Sequence, residues 1–421
     1  MQRKGSKCLK SRQERIVSRL DIAVIGGGAA GIMAAISAAK RGGKVTIYER
    51  NDRIGKKILA TGNGRCNLTN IDAKKENYYG KDTDFINNIE SEFWTKETLD
   101  FFEEIGLVYK VEEKGKVFPY SDTAASVLDV LRFELERRNV EIKYGFETEN
   151  IKKQDDGFLI TSYKGEKAKA KKVIITTGGK AAPASGSNGS GYRLLESFGH
   201  KTTNLFPSLV QIKLQEKDLK PLNGLKLSAD VSVLVAGKAV KKENGEVLFT
   251  EYGLSGPAIF AVSRMVGANK NAVIEIDMMP EFGFNDLVDI LKKHRAVMNS
   301  VDELFTGILH IRIGQVLIKN TVDIKMNDDI KKLSDMDIKK IAEKIKSYRV
   351  KTAGTMSWNN AQVTAGGIET KDFDPTTMES KLIKGIFAAG EILDIDGDCG
   401  GYNLQWAWSS GYIAGKNAVK G

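Results

Sequence analysis

Gly26, Gly28 and Gly31 fall in the pattern G-x-G-x-x-G, and Glu49 follows the last of them by 18 residues. That combination suits a dinucleotide. Gly26 permits a tight turn, Gly28 lets the backbone approach a pyrophosphate, and Gly31 lets helix and strand pack closely. A helix opening at Ala29 and Ala30 presents free N–H groups and a positive dipole end to the phosphates. Glu49 stands where a carboxylate accepts bonds from ribose hydroxyls, and Arg50 follows it. This geometry does not separate NAD from FAD.

The next segment, Arg53 to Asn70, interleaves bases with glycines and small polar residues. Lys56, Lys57, Thr61, Gly62, Gly64, Arg65, Asn67 and Leu68 suit a loop wrapped on phosphates and a planar heterocycle. A solvated basic loop would account for the lysines but not for glycines and Asn67 around Cys66. Near the other end, Gly385–Glu391 reads as a strand running into Gly390 and an acid, Glu391. Asp398-Cys399-Gly400-Gly401-Tyr402-Asn403-Leu404-Gln405 then opens a helix with Ala407, Ser410, Gly411, Ala414 and Gly415. Small residues at that spacing allow very close packing on a neighbour. The start of such a helix stabilises negative charge, as on a reduced isoalloxazine ring.

Cys66 and Cys399 are the candidate catalytic groups, since a thiol can protonate a reduced double bond; the plainer role of each is filling a core. Trp406 and Trp408 face different sides of one helix and read as packing, and His200, His294 and His310 are isolated. No second glycine fingerprint appears, so if the dinucleotide is a flavin, a nicotinamide donor, NAD(P)H, would dock transiently at it rather than in a domain of its own.

These residues need elements to carry them. Ile22–Ile25 is a short apolar run ending in glycine, the mark of a buried parallel strand. Ala29–Arg41 has helical composition and Lys44–Tyr48 reads as a second strand. Lys172–Thr177 and Gly385–Ala389 read as further buried strands, and Thr123–Arg138 and Tyr192–His200 as helices. Leu227, Ala229, Val231, Val233 and Val235 alternate with polar residues, the period of a half-exposed strand. Val273–Asp277 is another strand candidate. From about 283 the chain turns helical and rich in Lys, Asp and Ile.

With 421 residues, a domain size of about 150 predicts two or three domains. Charged residues are 28% and hydrophobic ones 41%, as in an ordinary globular protein. Three cysteines are too few for a disulfide framework or a zinc site, so no metal is expected and the setting reads as the reducing cytoplasm. Of the net charge of +10, +6 lies in residues 1–20, a basic extension read as a tail rather than a membrane or nucleic-acid element. The apolar run Ile22–Ala39 is no membrane anchor, because each of its four glycines weakens a helix by about 1 kcal/mol.

Ala29–Asn70 (with GKKILATGNGRCNLTN), Gly115–Ser121 (GKVFPYS), Thr177–Arg193, Leu248–Ser263 (LFTEYGLSGPAIFAVS), Val363–Gly367 and Met378–Gly415 resemble the BaiN-like, also called YhiN-like, flavoprotein family. The likeness covers nearly everything from Asp21 onward, and its two ends are very specific. It implies an α/β protein: a Rossmann-like FAD-binding domain (21–199 and 351–421) interrupted by an inserted β-barrel-like subdomain (200–282) and a helical one (283–350). By resemblance, Gly26, Gly28, Gly31 and Glu49 serve the pyrophosphate and adenosine ribose, and Thr148 touches adenine through its backbone. Lys57, Gly62, Arg65, Cys66 and Asn67 lie along the flavin, Glu391 approaches the ribityl chain, and Gly401, Asn403 and Leu404 meet the ring. Ala29, Ala30, Arg50, Lys56, Thr61, Gly64, Leu68, Gly178, Gly390 and Gly400 complete the expected site for non-covalent FAD. Activities implied by the likeness are diverse. They include C=C reduction in steroid-like acids, dihydrouridine formation in ribosomal RNA and amine oxidation, so the cofactor is implied and the substrate is not. A small molecule is the expected substrate and ribosomal RNA the alternative.

Overall fold

A computed structural model describes residues 20–215 and 219–420, so the basic extension at 1–20 lies, but for Leu20, outside the described residues. The first strand, Leu20–Ile25, pairs in parallel with Val45–Tyr48 on one side and Lys167–Ile175 on the other. Glu141–Lys143 extends the sheet beyond Val45–Tyr48. The other edge of Lys167–Ile175 is shared. Gly157–Ser162 pairs antiparallel with its start, and Ile386–Ala388, from the far end of the chain, pairs parallel with Val173–Ile175. Thr148–Gln154 completes the seven strands.

The strand Lys167–Ile175 starts five residues before the predicted one because Lys167, Lys169 and Lys171 alternate with buried Ala168 and Ala170. The central strands are apolar on both faces because both are covered, and Ala23 and Val24 are wholly buried. The helix Ala29–Ala39 covers one face. It in turn lies under the carboxy-terminal helix Tyr402–Ala418, where the spacing of small residues acts. A Cβ on Gly411 would stand 2.4 Å from the Ala30 carbonyl oxygen, and one on Gly415 2.1 Å from that of Ala34. The helix predicted over Tyr192–His200 runs instead from Ser190 to Glu196, ended by the turn at Gly199 with its φ of 92°.

A second core belongs to a closed barrel. Its strands, in order around the wall, are Ile212–Leu214, Gly253–Ser255, Lys238–Thr250, Lys226–Val235, Val273–Asp277 and Tyr348–Thr355. Ala229, Val231 and Val233 point inward and are fully buried, as the alternation requires. The helix Pro257–Ala268 packs Ile259 and Val262 against this wall, and Phe284–Val297, Ile311–Lys319 and Asp335–Lys346 follow. The barrel's last strand straddles the expected boundary between 350 and 351. Its Tyr348, Val350 and Thr352 are buried while Arg349 and Lys351 face out, so its bases mask a strand that sequence assigns to the helical insert. Among the described residues no helix is long and apolar enough to cross a membrane.

Candidate functional site

Parallel strands that end at one edge bring their following residues together, and ligands of open α/β sheets bind at that edge. Here the strand ends Ile25, Tyr48, Ile175 and Ala388 are in register. Gly26, Glu49, Thr176 and Ala389 therefore converge, from four segments, on a cavity of about 770 Å³.

The glycine turn is tied down from all sides. Gly26 has φ 103° and a Cβ there would lie 2.8 Å from the Thr176 carbonyl oxygen. Gly31 is closer still, 1.9 Å from the Gly26 carbonyl oxygen, so it packs on the turn and does not line the cavity. Gly28 is the opposite case: a Cβ would meet nothing within 4 Å, because that face opens into the cavity beside Ala29 and Ala30. No side chain caps the helix at Gly28, nor the carboxy-terminal helix at Gly401. Both helices direct unused N–H groups at one cavity, a setting for an anion at each.

Glu49 does more than the fingerprint implies. It is buried, and its Oε2 accepts from the Gly27 amide at 2.8 Å while Oε1 accepts from the amide and side chain of Asn51, each at 2.8 Å. Only Oε2 keeps capacity for a ribose hydroxyl. At the other end, Glu391 accepts from Lys57 Nζ at 2.6 Å and from the Thr364 amide at 2.8 Å, joining segments 334 residues apart in the first case.

Most of the expected site lines the cavity: Arg50, Lys56, Thr61, Gly62, Asn67, Thr148, Gly178, Gly400 and Leu404 all do so. Gly64, Cys66, Leu68 and Gly390 do not. Cys66 is fully buried with φ 63° and lies behind the cavity wall, and burial pushes its thiol up to about 12. Leu68 and Gly390 instead offer carbonyl oxygens to the indoles of Trp408 and Trp406, both buried. Cys399 does line the cavity, half-buried, its thiol pushed up by burial against the nearby Lys116 cation. Arg65 reaches the cavity but is engaged elsewhere, by Glu112, by Asp122 and by the Phe118 ring 4.0 Å away. Asn403 spends its amide on the loop before it, accepting from Gly397 N at 2.8 Å and donating to the Gly397 carbonyl at 2.9 Å.

Several cavity residues carried no signal in the sequence. Tyr48 reads as strand core, yet it lines the cavity beside Phe146, whose ring is tilted by 57° at 4.6 Å between centres. Asn359, Asn360 and Gln362 sit in an irregular stretch with no pattern to single them out. Asn63, Ala182 and Leu209 line the cavity with positive φ of 56°, 55° and 49°, conformations that surrounding structure must enforce.

The comparisons agree with this fold. The family model described as HI0933-like protein Rossmann domain matches residues 20–417. The chain belongs to this family. A 3-dehydro-bile acid delta(4,6)-reductase of Clostridium scindens is 38% identical over 407 residues, 95% of this chain and 99% of that protein. A ribosomal RNA dihydrouridine synthase of Escherichia coli is 29% identical over 96% of this chain and 99% of its own length. Among solved structures, the 3-ketosteroid-delta4-(5alpha)-dehydrogenase of Rhodococcus jostii shares the fold, with a TM-score of 0.51, 15% identity and coverage of 98% of this chain and 99% of the other. The family member described here is an FAD-dependent oxidoreductase.

FAD fits the wall. Among the described residues, five buried side-chain oxygens on it lack a partner: Tyr48 OH, Asn67 Oδ1, Thr148 Oγ1, Thr177 Oγ1 and Ser187 Oγ. Buried polar atoms are rarely left so, and a dinucleotide's ribose, ribityl and ring edges can satisfy them. The open face at Gly28 and the two uncapped helices supply the anion sites.

Proposed function

We propose that this enzyme reduces an activated C=C bond in a small molecule, an enone of steroid or bile-acid type, with NAD(P)H as transient donor in a reducing cytoplasm. The observation that carries the reading is the full-length likeness, at 38% identity, to the Clostridium scindens reductase. The cavity supports it: the insert contributes Leu209, Pro257 and Phe260 with the carboxylate of Glu246, and the return segment the amides of Asn359, Asn360 and Gln362. One apolar wall with a few polar anchors suits a flat, mostly apolar substrate.

Bound FAD supplies hydride transfer. The chain's own residues do the rest in this reading. Gly26–Ala30 hold the pyrophosphate, and Glu49 and Thr148 the adenosine end. Lys57 and Glu391 hold the ribityl chain, and Asn67, Gly400, Gly401 and Leu404 the ring. Cys399 is the proton donor for the carbon beside the one that receives hydride. Burial keeps its thiol protonated, as a donor requires. In domain terms, the FAD-binding part comprises the segments before 200 and after 355, with the insert between them.

The second reading, dihydrouridine formation in ribosomal RNA, is favoured by the 29% identical relatives of Escherichia coli and Haemophilus influenzae. Incubating the flavin-loaded protein with NADH or NADPH and either a 3-keto-4-ene bile acid or a ribosomal RNA transcript decides between them. We expect nicotinamide consumption matched by saturation of the enone. Consumption only with RNA, with dihydrouridine in the digest, would replace the first reading by the second, and amine-dependent peroxide would replace both.

A further inference from the structure

The turn Cys399–Gly401 reaches the cavity from a segment gripped by the inserted barrel. Asp396 is fully buried, and Arg264, on the helix Pro257–Ala268, holds it with two bonds: Nε to Oδ2 at 2.7 Å and Nη2 to Oδ1 at 3.0 Å. The guanidinium carbon lies 4.4 Å from the Tyr79 ring centre and 5.6 Å from that of Phe206. Two residues further on, Asp398 Oδ1 accepts from Lys241 Nζ at 3.1 Å and from the Tyr79 hydroxyl at 2.9 Å. Lys241, on the barrel strand Lys238–Thr250, also donates to the Tyr79 oxygen at 3.2 Å. Asn77 donates to Asp398 Oδ2 at 3.2 Å. Asp396–Gly397 itself pairs antiparallel with Tyr78–Tyr79.

Two cations, one on a barrel strand and one on the helix Pro257–Ala268, thus close on two acids immediately before the residues that line the cavity. A buried ion pair is poor value as a stabiliser, because desolvation cancels much of the attraction. What it does well is specify one arrangement. An ordinary domain contact would not need a bidentate guanidinium on a carboxylate with no solvent exposure.

We propose that Arg264 and Lys241 are positioning residues, acting through Asp396 and Asp398 to hold the Cys399–Gly401 turn and the start of the carboxy-terminal helix against the flavin. The insert that walls the substrate space thereby also sets the surroundings of the ring. The proposal rests on the flavin-end reading above and is independent of which substrate is reduced.

Lys241→Met is the first variant, because Lys241 is only partly buried and its loss leaves Asp398 bonded to Tyr79 and Asn77. Lys241→Arg is the conservative rescue, and Arg264→Lys keeps the charge on Asp396 while losing the fork. The readouts are the visible spectrum and reduction potential of the bound FAD, its affinity for the apoprotein, and proteolysis of the apoprotein at 397–401. Lys241→Met is expected to shift the spectrum, lower the potential and expose the turn to protease. FAD affinity should stay within about threefold, since the phosphate end is untouched, while kcat falls about tenfold, as misplacement of a reacting group does. Lys241→Arg should restore all of these, and Arg264→Lys should move them in the same direction. A wild-type spectrum and potential in Lys241→Met would overturn the proposal, as would a lowered melting temperature alone. Gly400→Ala, placed on the turn itself, separates the two readings. If it shifts the spectrum and Lys241→Met does not, only the positioning role fails; if neither does, the flavin-end reading fails with it.

Discussion

At the phosphate end of the cavity one continuous stretch, Leu20 to Glu49, supplies strand, turn, helix and acid, and nearly every close contact is made by backbone. At the flavin end nothing is continuous. Lys57 meets Glu391 across 334 residues, Tyr79 meets Asp398 across 319, and the insert adds Lys241 and Arg264. The first end is a local device in which each glycine has one steric duty. The second is an assembly of charged side chains, each placed by a different element. In the proposed reading, grip on the cofactor and control of its chemistry therefore reside in regions that should fail in different ways when mutated.

The sharpest break is between two glycines of one turn. Gly28→Val should abolish FAD binding and leave the apoprotein folded, since its side chain enters the space for the pyrophosphate and touches no protein. Gly31→Val should unfold or strongly destabilise the apoprotein, because its Cβ overlaps the Gly26 carbonyl. The flavin-to-protein absorbance ratio and the melting curve of each variant check this. Full flavin occupancy in Gly28→Val would show the phosphate end to be misplaced.

Next in size is a contrast between two acids. Glu49→Ala strands three donors at the phosphate end, from Gly27 and Asn51, and should destabilise the apoprotein by about 1–3 kcal/mol as well as weaken FAD. Glu391→Ala strands Lys57, which can reach solvent, and the Thr364 amide, so its effect on the apoprotein should be smaller, about 1 kcal/mol. Urea denaturation of the two apoproteins measures the difference, and equal losses would deny that the phosphate end is the more tightly built.

The smallest effect concerns the two cysteines in the described residues. Burial pushes Cys66 up to about 12, so its thiol stays neutral and unreactive until the pH approaches that value. Cys399 is also raised by burial but lines the cavity, so alkylation should be slow, rise with pH and stop when FAD is bound. Mass mapping after iodoacetamide treatment near pH 8 reads both sites. Labelling of Cys66 in the folded protein would contradict its placement behind the wall.

How much was legible follows the same division. Gly26, Gly28, Gly31 and Glu49 could be read because their duties arise within one strand–helix–strand unit, where spacing along the chain is spacing in the fold. The alternation from Leu227 to Val235 announced a strand for a similar reason. One strand, Lys167–Ile175, was misjudged at its start and another, Tyr348–Thr355, was missed, because lysines and arginines on the outward face dilute a buried period of two. Cys66 and Cys399 looked alike as candidates, both embedded in glycine-rich motifs, and only packing separates them.

By itself, then, the sequence determined a glycine-rich strand–turn–helix with its following acid, a returning segment rich in small residues, and a β-then-helical insert, since each is written in local spacing and periodicity. Only the tertiary structure decided which cysteine faces the cavity, that Glu49 is largely occupied by donors from Gly27 and Asn51, and that Arg264 and Lys241 reach the acids beside the Cys399–Gly401 turn. Those facts depend on side chains meeting across long stretches of chain. Nothing in the spacing of one segment records the position of another, so such contacts exist only once both cores have packed.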